Sequence, residues 1–106
     1  MINVVIFKDP SGAIKGFTAE NHADSKVCAA VTMLTINTVN SIETFTNADF
    51  TCELIEEGGY LSFTLSSDSD QHASLLLNAM ELGLTMASEE YPAEISIKQE
   101  PFQEPH

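Results

Sequence analysis

The sequence contains no arginine, and its basic residues are four lysines against sixteen acidic residues. The formal net charge of -12 creates a field that repels phosphates and anionic lipid headgroups. We therefore expect no direct binding to nucleic acid or to a membrane surface. A basic partner is the complement of such a field, but acidity also serves solubility alone, and charge does not decide between the two.

The sequence also lacks long hydrophobic runs, and none approaches the roughly 20 residues that span a bilayer. The first seven residues have no basic segment ahead of their short apolar stretch, and they run directly into Lys8, Asp9 and Pro10. This pattern is typical of a first β-strand rather than of a signal peptide. The sequence therefore predicts a cytoplasmic protein.

Cysteine is scarce, with Cys28 and Cys52 as the two thiols of the chain. Two cysteines are enough for one disulfide, but without an export signal we expect both to remain reduced. At least one of them is then available for chemistry.

The chain is too short for two hydrophobic cores. Its 106 residues, 43% hydrophobic and 19% charged, have the composition of one globular domain. The residues from Pro101 onward are expected to fray. We therefore predict a single domain over residues 1–99 and a flexible tail over residues 100–106.

Turn residues and hydrophobic periodicity predict the element order ββαββαβ. The expected fold class is α+β, with a mostly antiparallel sheet packed with two helices. The first helix is predicted from Lys26 to Phe45, and the second from His72 to about Glu89. The buried face of the first helix is expected at the positions that recur every three or four residues, Val31, Leu34, Thr38, Ile42 and Phe45.

Two more sets of residues are assigned to the core from their spacing. One is an alternating strand, whose buried face is expected to hold Phe50, Cys52 and Leu54. The other is the apolar stripe of the second helix, which contains Leu75, Leu76, Ala79, Met80, Gly83 and Met86. Met80 and Met86 are expected to be core residues, with a dimer face as the alternative interpretation.

The pattern most suggestive of chemistry is a histidine near a strand end followed by a cysteine in the first turn of a helix. Ser25 is a plausible N-cap, with Asp24 beside it, and Cys28 then lies where unpaired backbone N–H groups and the helix dipole stabilise a thiolate. His22 is placed to act as the base, or as the cation of an ion pair. The alternative is that Cys28 is a small buried hydrophobe and His22 merely ends a strand.

The residues around this pair resemble a known family. The matching segments are His22-Ala23, Val27-Cys28-Ala29-Ala30-Val31-Thr32, Leu34-Thr35 and Val39-Asn40. A Gly-Phe pair before the histidine, a Gly-Gly-Tyr hairpin at residues 58–60 and a second helix ending near Tyr91 extend the likeness over nearly the whole chain. The sequence is similar to the ribosomal-processing cysteine protease family, Prp.

This resemblance implies a cysteine endopeptidase with Cys28 as nucleophile and His22 as base. The family removes the N-terminal extension of a large-subunit ribosomal protein, and it works as cytoplasmic homodimers. The resemblance therefore implies a basic ribosomal protein as substrate and a second copy of the chain as partner. Since the family cleaves after an apolar, aromatic stretch, an apolar groove is implied near Cys28, with Met33 and Phe17 as candidate lining residues.

A different class of function uses the same surface charge. A non-catalytic acidic module would bind a basic ribosomal segment without cutting it, and it would not need a reactive Cys28. No metal is predicted, since His72 and His106 lack a second ligand at metal-binding spacing. The sequence contains no phosphate-binding glycine loop, and no cofactor is expected.

Overall fold

The computed structural model describes residues 1–20, 26–55, 59–66 and 70–103. The strands are β1 (Ile2–Lys8), β2 (Ile14–Glu20), β3 (Phe50–Ile55), β4 (Tyr60–Leu65) and β5 (Ile95–Pro101). The helices are α1 (Lys26–Phe45) and α2 (Gln71–Glu90). The predicted order ββαββαβ and the α+β class are confirmed. In the part of the chain described, neither helix is long and apolar enough to cross a membrane.

The five strands form one mixed sheet in the order β3-β4-β2-β1-β5. Neighbouring strands are antiparallel except β1 and β5, which run parallel in a register that pairs Ile2 with Ile95. Alternate residues of β1 (Ile2, Val4 and Ile6) are buried, while their neighbours are not. The core therefore lies on one face of the sheet, between the strands and the two helices.

The first hairpin closes at Asp9-Pro10-Ser11-Gly12, a run of residues typical of turns, where the Gly12 N–H donates to the Asp9 carbonyl at 2.9 Å. One carboxylate oxygen of Asp9 accepts hydrogen bonds from the N–H and hydroxyl of Ser11 and from the N–H of Ala13, at 2.9, 2.6 and 3.0 Å. These bonds, the Ser11 hydroxyl foremost, lower the pKa of Asp9. Gly12 adopts φ 89°, a left-handed conformation that favours glycine.

Helix α1 begins and ends at the predicted residues. Its buried threonines satisfy their hydroxyls within the helix: Thr35 donates to the Val31 carbonyl at 2.9 Å and Thr38 to the Leu34 carbonyl at 2.7 Å. Packing thus offsets their weak helix propensity. Phe45, expected in the core, is 75% exposed, because it is the last residue of the helix and lies beyond the buried stripe.

Helix α2 begins at Gln71, one residue before the predicted His72, and it is capped by Asp70, whose carboxylate accepts from the backbone N–H groups of His72 and Ala73. It packs closely on α1 at Gly83, where an added Cβ would lie 3.0 Å from Leu34 Cδ2. The apolar stripe predicted for this helix is only partly buried. Met80 is buried, but Met86 is 62% exposed, so its assignment to the core is wrong.

The second hairpin contains the largest departure from the sequence prediction. Phe50 is half-buried with its ring centroid 5.0 Å from that of Phe63, but Cys52 and Leu54 are exposed. The alternation itself is correct, since Cys52 pairs with the buried Phe63. The expected burial is wrong because β3 is the edge strand, outside the buried helix–sheet core.

The last strand is longer than the alternation from Glu94 to Lys98, with Ile95 and Ile97 facing inward, predicts. Ile95 is buried as expected, but β5 continues past Lys98 to Pro101, and the Phe102 N–H donates to the Lys8 carbonyl at 2.8 Å. The division into a domain of residues 1–99 and a tail of residues 100–106 stays a prediction. Residues 104–106 lie outside the described part of the chain.

Candidate active site

Cys28 lies in the first turn of α1, as the third residue of the helix. Its side chain is half-buried and packs against the core, next to the buried Val27. The backbone N–H groups in the first turn of a helix point toward its N-terminal end, where the helix dipole is positive, and Cys28 lies in that turn. A thiolate or an oxyanion at this point is therefore close to donors and to the positive end of the helix dipole.

The strand that leads to this helix is held firmly on both sides. The end of β2 pairs with β1 through Ala19 and Val4, and with β4 through Ala19 and Leu61. All three side chains are buried. A rigid central strand therefore fixes where the chain leaves the sheet, five residues before α1 begins.

His22 belongs to the segment of residues 21–25, which lies outside the described residues. The predicted N-cap Ser25 and the neighbouring Asp24 lie in the same segment. The predicted pairing of His22 with Cys28 stays a prediction.

A small apolar cavity of about 120 Å³ opens along the same helix. Thr32 and Ile36 of α1 form one wall, and Leu54 and Gly59 of the second hairpin form the other. These α1 residues follow Cys28 at intervals of four, so all three lie along one side of the helix. The cavity is therefore an extension of the surface that holds Cys28.

The lining of this cavity was not predicted from the sequence. Phe17 was a wrong choice, because it is fully buried and stacks on Phe63 with a centroid distance of 5.4 Å. Met33 is 70% exposed but does not line the cavity. The four-residue spacing from Cys28 to Thr32 and Ile36 could have identified these two lining residues from the sequence. Leu54 could not be identified in this way, because its position beside the helix depends on the strand order.

Cys52 is in a different environment, in the middle of the edge strand β3. It is exposed, but partial desolvation by its surroundings raises the pKa of its thiol. The two cysteines are not joined by a disulfide.

In the described part of the chain, neither a metal-binding cluster nor the larger hollows below lie at Cys28. Among the described residues, no three His, Cys, Asp or Glu side chains gather to hold a metal ion. Two larger hollows, of about 370 and 330 Å³, share Glu100 and Phe102 in their linings. They lie at the other end of the sheet, since Glu100 pairs with Phe7 whereas the site lies near Ile2.

Comparison with known proteins agrees with this arrangement. Crystal structures of the essential ribosomal processing protease Prp from S. aureus, with a covalently linked product peptide and with a substrate peptide, are similar to this chain. Their TM-scores are 0.89 and 0.88 at 25% and 24% identity, and each comparison covers 94% of this chain and 100% of the other. A protein from Streptococcus mutans has a TM-score of 0.85 at 27% identity, with 96% of this chain and 99% of the other covered.

Comparison with curated proteins gives no match. The family model for cysteine protease Prp, however, matches residues 1–96, which is nearly the whole length of the described fold. The structural likeness spans the same elements, including the strand and helix that position Cys28. The chain therefore belongs to the Prp family of cysteine proteases.

Proposed function

We propose that this chain is a cysteine endopeptidase that removes the N-terminal extension of a large-subunit ribosomal protein with a Cys28/His22 dyad. The observation that carries the proposal is the position of Cys28, in the first turn of a helix that follows a rigid central strand and lines an apolar cavity. A substrate backbone lying across the helix start would bring its carbonyl to the thiol.

The reaction proceeds through an acyl-enzyme. The Cys28 thiol gives its proton to His22, the thiolate sulfur attacks the scissile carbonyl carbon, and backbone N–H groups at the start of α1 stabilise the oxyanion. As the C–N bond breaks, His22 protonates the leaving amine. His22 then takes a proton from water, the hydroxide attacks the thioester, and cleavage of the C–S bond releases the acid product and the Cys28 thiolate.

The cavity beside Cys28 supports the apolar, aromatic specificity that the family resemblance implies. Thr32, Ile36 and Leu54 present mostly apolar surface, so a hydrophobic side chain near the scissile bond gains burial there. Leu54 is 55% exposed in the substrate-free chain, which leaves apolar area available for the substrate to cover.

The charge of the chain supports a basic substrate. A net charge of -12 attracts a basic ribosomal protein over a distance of roughly a Debye length and repels ribosomal RNA. Cleavage before the ribosomal protein joins RNA follows from this, and we propose that it takes place in the cytoplasm, as in the family that the sequence resembles. We also propose that the chain works as a homodimer.

The deciding experiment is mass spectrometry of a ribosomal protein that carries its N-terminal extension, after incubation with the chain. We expect a single cut after an apolar, aromatic stretch. A substrate in which that stretch is replaced by serine and glycine is the control, and it should stay intact. Stable complex formation without any cut would contradict the proposal and favour the non-catalytic binding module.

A further inference from the structure

The five-stranded sheet has two edge strands, β3 and β5, and they differ in how they are protected. Strand β5 carries Lys98 and Glu100 and ends in Pro101, which has no N–H to offer a further strand. Strand β3 has Glu53 as its single charge and neither lysine nor proline, and its register with β4 is unbroken from Phe50 to Ile55. A regular edge of this kind readily pairs with another strand. Strand β3 is therefore the edge that is open to an added strand.

Antiparallel pairing determines which backbone groups of β3 face away from the sheet. The Ser66 N–H donates to the Asp49 carbonyl at 2.8 Å, so these two residues form a hydrogen-bonded pair. Such pairs occur at every second residue of an antiparallel ladder, so the next one on β3 falls at Thr51. The N–H and C=O groups of Cys52 and Leu54 therefore point outward. We call these outward groups of Cys52 and Leu54 the open edge.

The same two residues direct their side chains to the face of the sheet that the helices cover. Leu54 pairs with the buried Leu61 and Cys52 with the buried Phe63, and paired residues share a face. Leu54 also lines the cavity that Thr32 borders on α1. On an added strand, a residue level with Leu54 would place its side chain on this face, beside the cavity. The open edge and the cavity therefore form one continuous binding surface.

The exposed side chains at the end of β3 suit an apolar peptide. Leu54 and Ile55 are 55% and 44% exposed, and as neighbours in a strand they lie on opposite faces. An added strand has side chains on both faces, so it would cover both residues. Aromatic residues also favour the extended conformation. The apolar, aromatic stretch that precedes the cut in the proposed substrate therefore has a suitable composition.

The direction of the chain determines how this stretch would lie on β3. Strand β3 returns along α1, and its Leu54 reaches the cavity at Thr32, one helical turn from Cys28. The residues before the cut lead up to the Cys28 thiol. If they lie along β3, they run in the same direction as β3, as a parallel strand.

In a parallel pair, a residue bonds to the two neighbours of the residue level with it. Strands β1 and β5 follow this rule, since Ile2 is level with Ile95 and its N–H donates to the Glu94 carbonyl at 2.8 Å. On the open edge, the peptide residue level with Leu54 therefore directs its own N–H away from β3. The residue after it donates to the Leu54 carbonyl, and the residue before it donates to the Cys52 carbonyl.

Charge supports the same direction. The sequence becomes acidic where β3 ends, with Glu53 on the strand and Glu56 and Glu57 soon after it. A peptide parallel to β3 leads from its apolar stretch toward this end, and its continuation is the basic ribosomal protein. Opposite charges then meet beyond the cut.

From its regularity, the direction of its backbone groups and its continuity with the cavity, we propose that the open edge binds the apolar stretch of the substrate as a sixth, parallel strand of the sheet. This inference rests on the proposed function, because it assigns a surface to the substrate of that function. The experiment measures binding to a variant that does not cut, so the two fail separately.

The test is fluorescence anisotropy of a labelled peptide, which spans the cut in the extended ribosomal protein, with the Cys28→Ala chain. The residues of the apolar stretch are N-methylated one at a time, which removes the N–H and obstructs strand pairing. The dissociation constant should rise at least about tenfold at every second residue and change less than about twofold at those between. The tolerant residues should be those that enter the cavity, whose replacement by alanine costs less affinity when Leu54→Ala is also present.

A substitution in the chain tests the same contact. Cys52→Pro, added to Cys28→Ala, removes an outward N–H and no hydrogen bond to β4, a change that an edge strand tolerates. It should raise the dissociation constant of the unmethylated peptide about tenfold. Gln99→Pro is the matched control on the other edge. Because Gln99 is level with Ile6, its N–H also points away from the sheet, and the dissociation constant should stay within about twofold.

The outcomes separate this inference from the proposed function. No binding, equal losses at all N-methylated positions, losses at the residues that enter the cavity, or equal losses in Cys52→Pro and Gln99→Pro would overturn the open edge as the substrate site. Alternating losses together with an intact substrate after incubation with the wild-type chain would support the open edge and contradict the peptidase. If Cys52→Pro lowers the melting temperature, the N-methylation series alone decides, since it leaves the chain unchanged.

Discussion

The two thiols of this chain occupy contrasting positions. Cys28 is half-buried in the first turn of a helix and packs against the core, and residues further along the same helix line an apolar cavity. Cys52 is exposed on an edge strand, and the pKa of its thiol is raised by desolvation. Exposure alone would make Cys52 the more reactive residue. We expect the position of Cys28 in the first turn of a helix to matter more to its reactivity than the greater solvent access of Cys52.

The largest expected effect of this contrast is on turnover. Cys28→Ala should lower kcat by more than about a thousand-fold, because the other described residues of the first turn, Lys26, Val27 and Ala29, carry no thiol or hydroxyl. Cys52→Ala, the matched control, should leave kcat within about twofold. Single-turnover cleavage of the extended ribosomal protein measures both. More than a tenth of wild-type activity in Cys28→Ala would show that Cys28 is not the nucleophile.

The two thiols should also differ, by a smaller factor, in their rates of alkylation. With limiting iodoacetamide near pH 7, Cys28 should react about ten times faster than Cys52, as measured by peptide mapping. Because the pKa of Cys52 is raised, less of it is thiolate at neutral pH. Its rate should therefore rise about tenfold per pH unit and level off above the ordinary thiol range. His22→Ala should slow the labelling of Cys28 alone, and equal rates at the two thiols would contradict the assignment.

The edge strand contributes to the site through a neighbour of Cys52. Leu54→Ala removes part of the cavity wall, so kcat/KM for the extended substrate should fall about tenfold, mostly through KM. Ile55→Ala is the matched control. It follows directly in sequence but lies on the opposite face of the strand, so it should change kcat/KM less than twofold. Equal losses in the two variants would show that the cavity does not bind substrate.

The sequence was sufficient for features that depend on local pattern. Hydrophobic periodicity gave the extent of α1, and the pattern placed the start of α2 at His72, one residue after its observed start at Gln71. It was insufficient where the outcome depends on strand order. Alternation gives the face of Cys52 correctly, but it does not reveal that β3 is an edge strand.

The candidate site also has parts that the sequence predicted and parts that it did not. The spacing of His22 and Cys28 and the family resemblance selected the pair from sequence, and the structure places Cys28 at the helix start that was expected. The contribution of Leu54 was hidden, because it depends on the second hairpin folding over one side of α1. Residues more than 20 positions apart in the chain form that cavity, and a periodic pattern carries no information about such a contact.

The smallest expected difference between the two thiols is electrostatic. Lys26 is exposed two residues before Cys28, whereas Glu53 follows Cys52. Unit charges separated by about 7 Å in water interact by about 0.6 kcal/mol. Attraction by Lys26 at one thiol and repulsion by Glu53 at the other add, so the rate with anionic iodoacetate relative to neutral iodoacetamide should be about sevenfold higher at Cys28 than at Cys52 in low salt. Lys26→Gln should remove about half of this difference, and Lys98→Gln, on the far strand β5, should leave it unchanged.

In about 0.5 M salt the two ratios should converge, because the screening length at that concentration is shorter than the separations between the charges. A ratio that is the same at both thiols in low salt would mean that their reactivities differ through the helix start and desolvation alone, with no contribution from neighbouring charge.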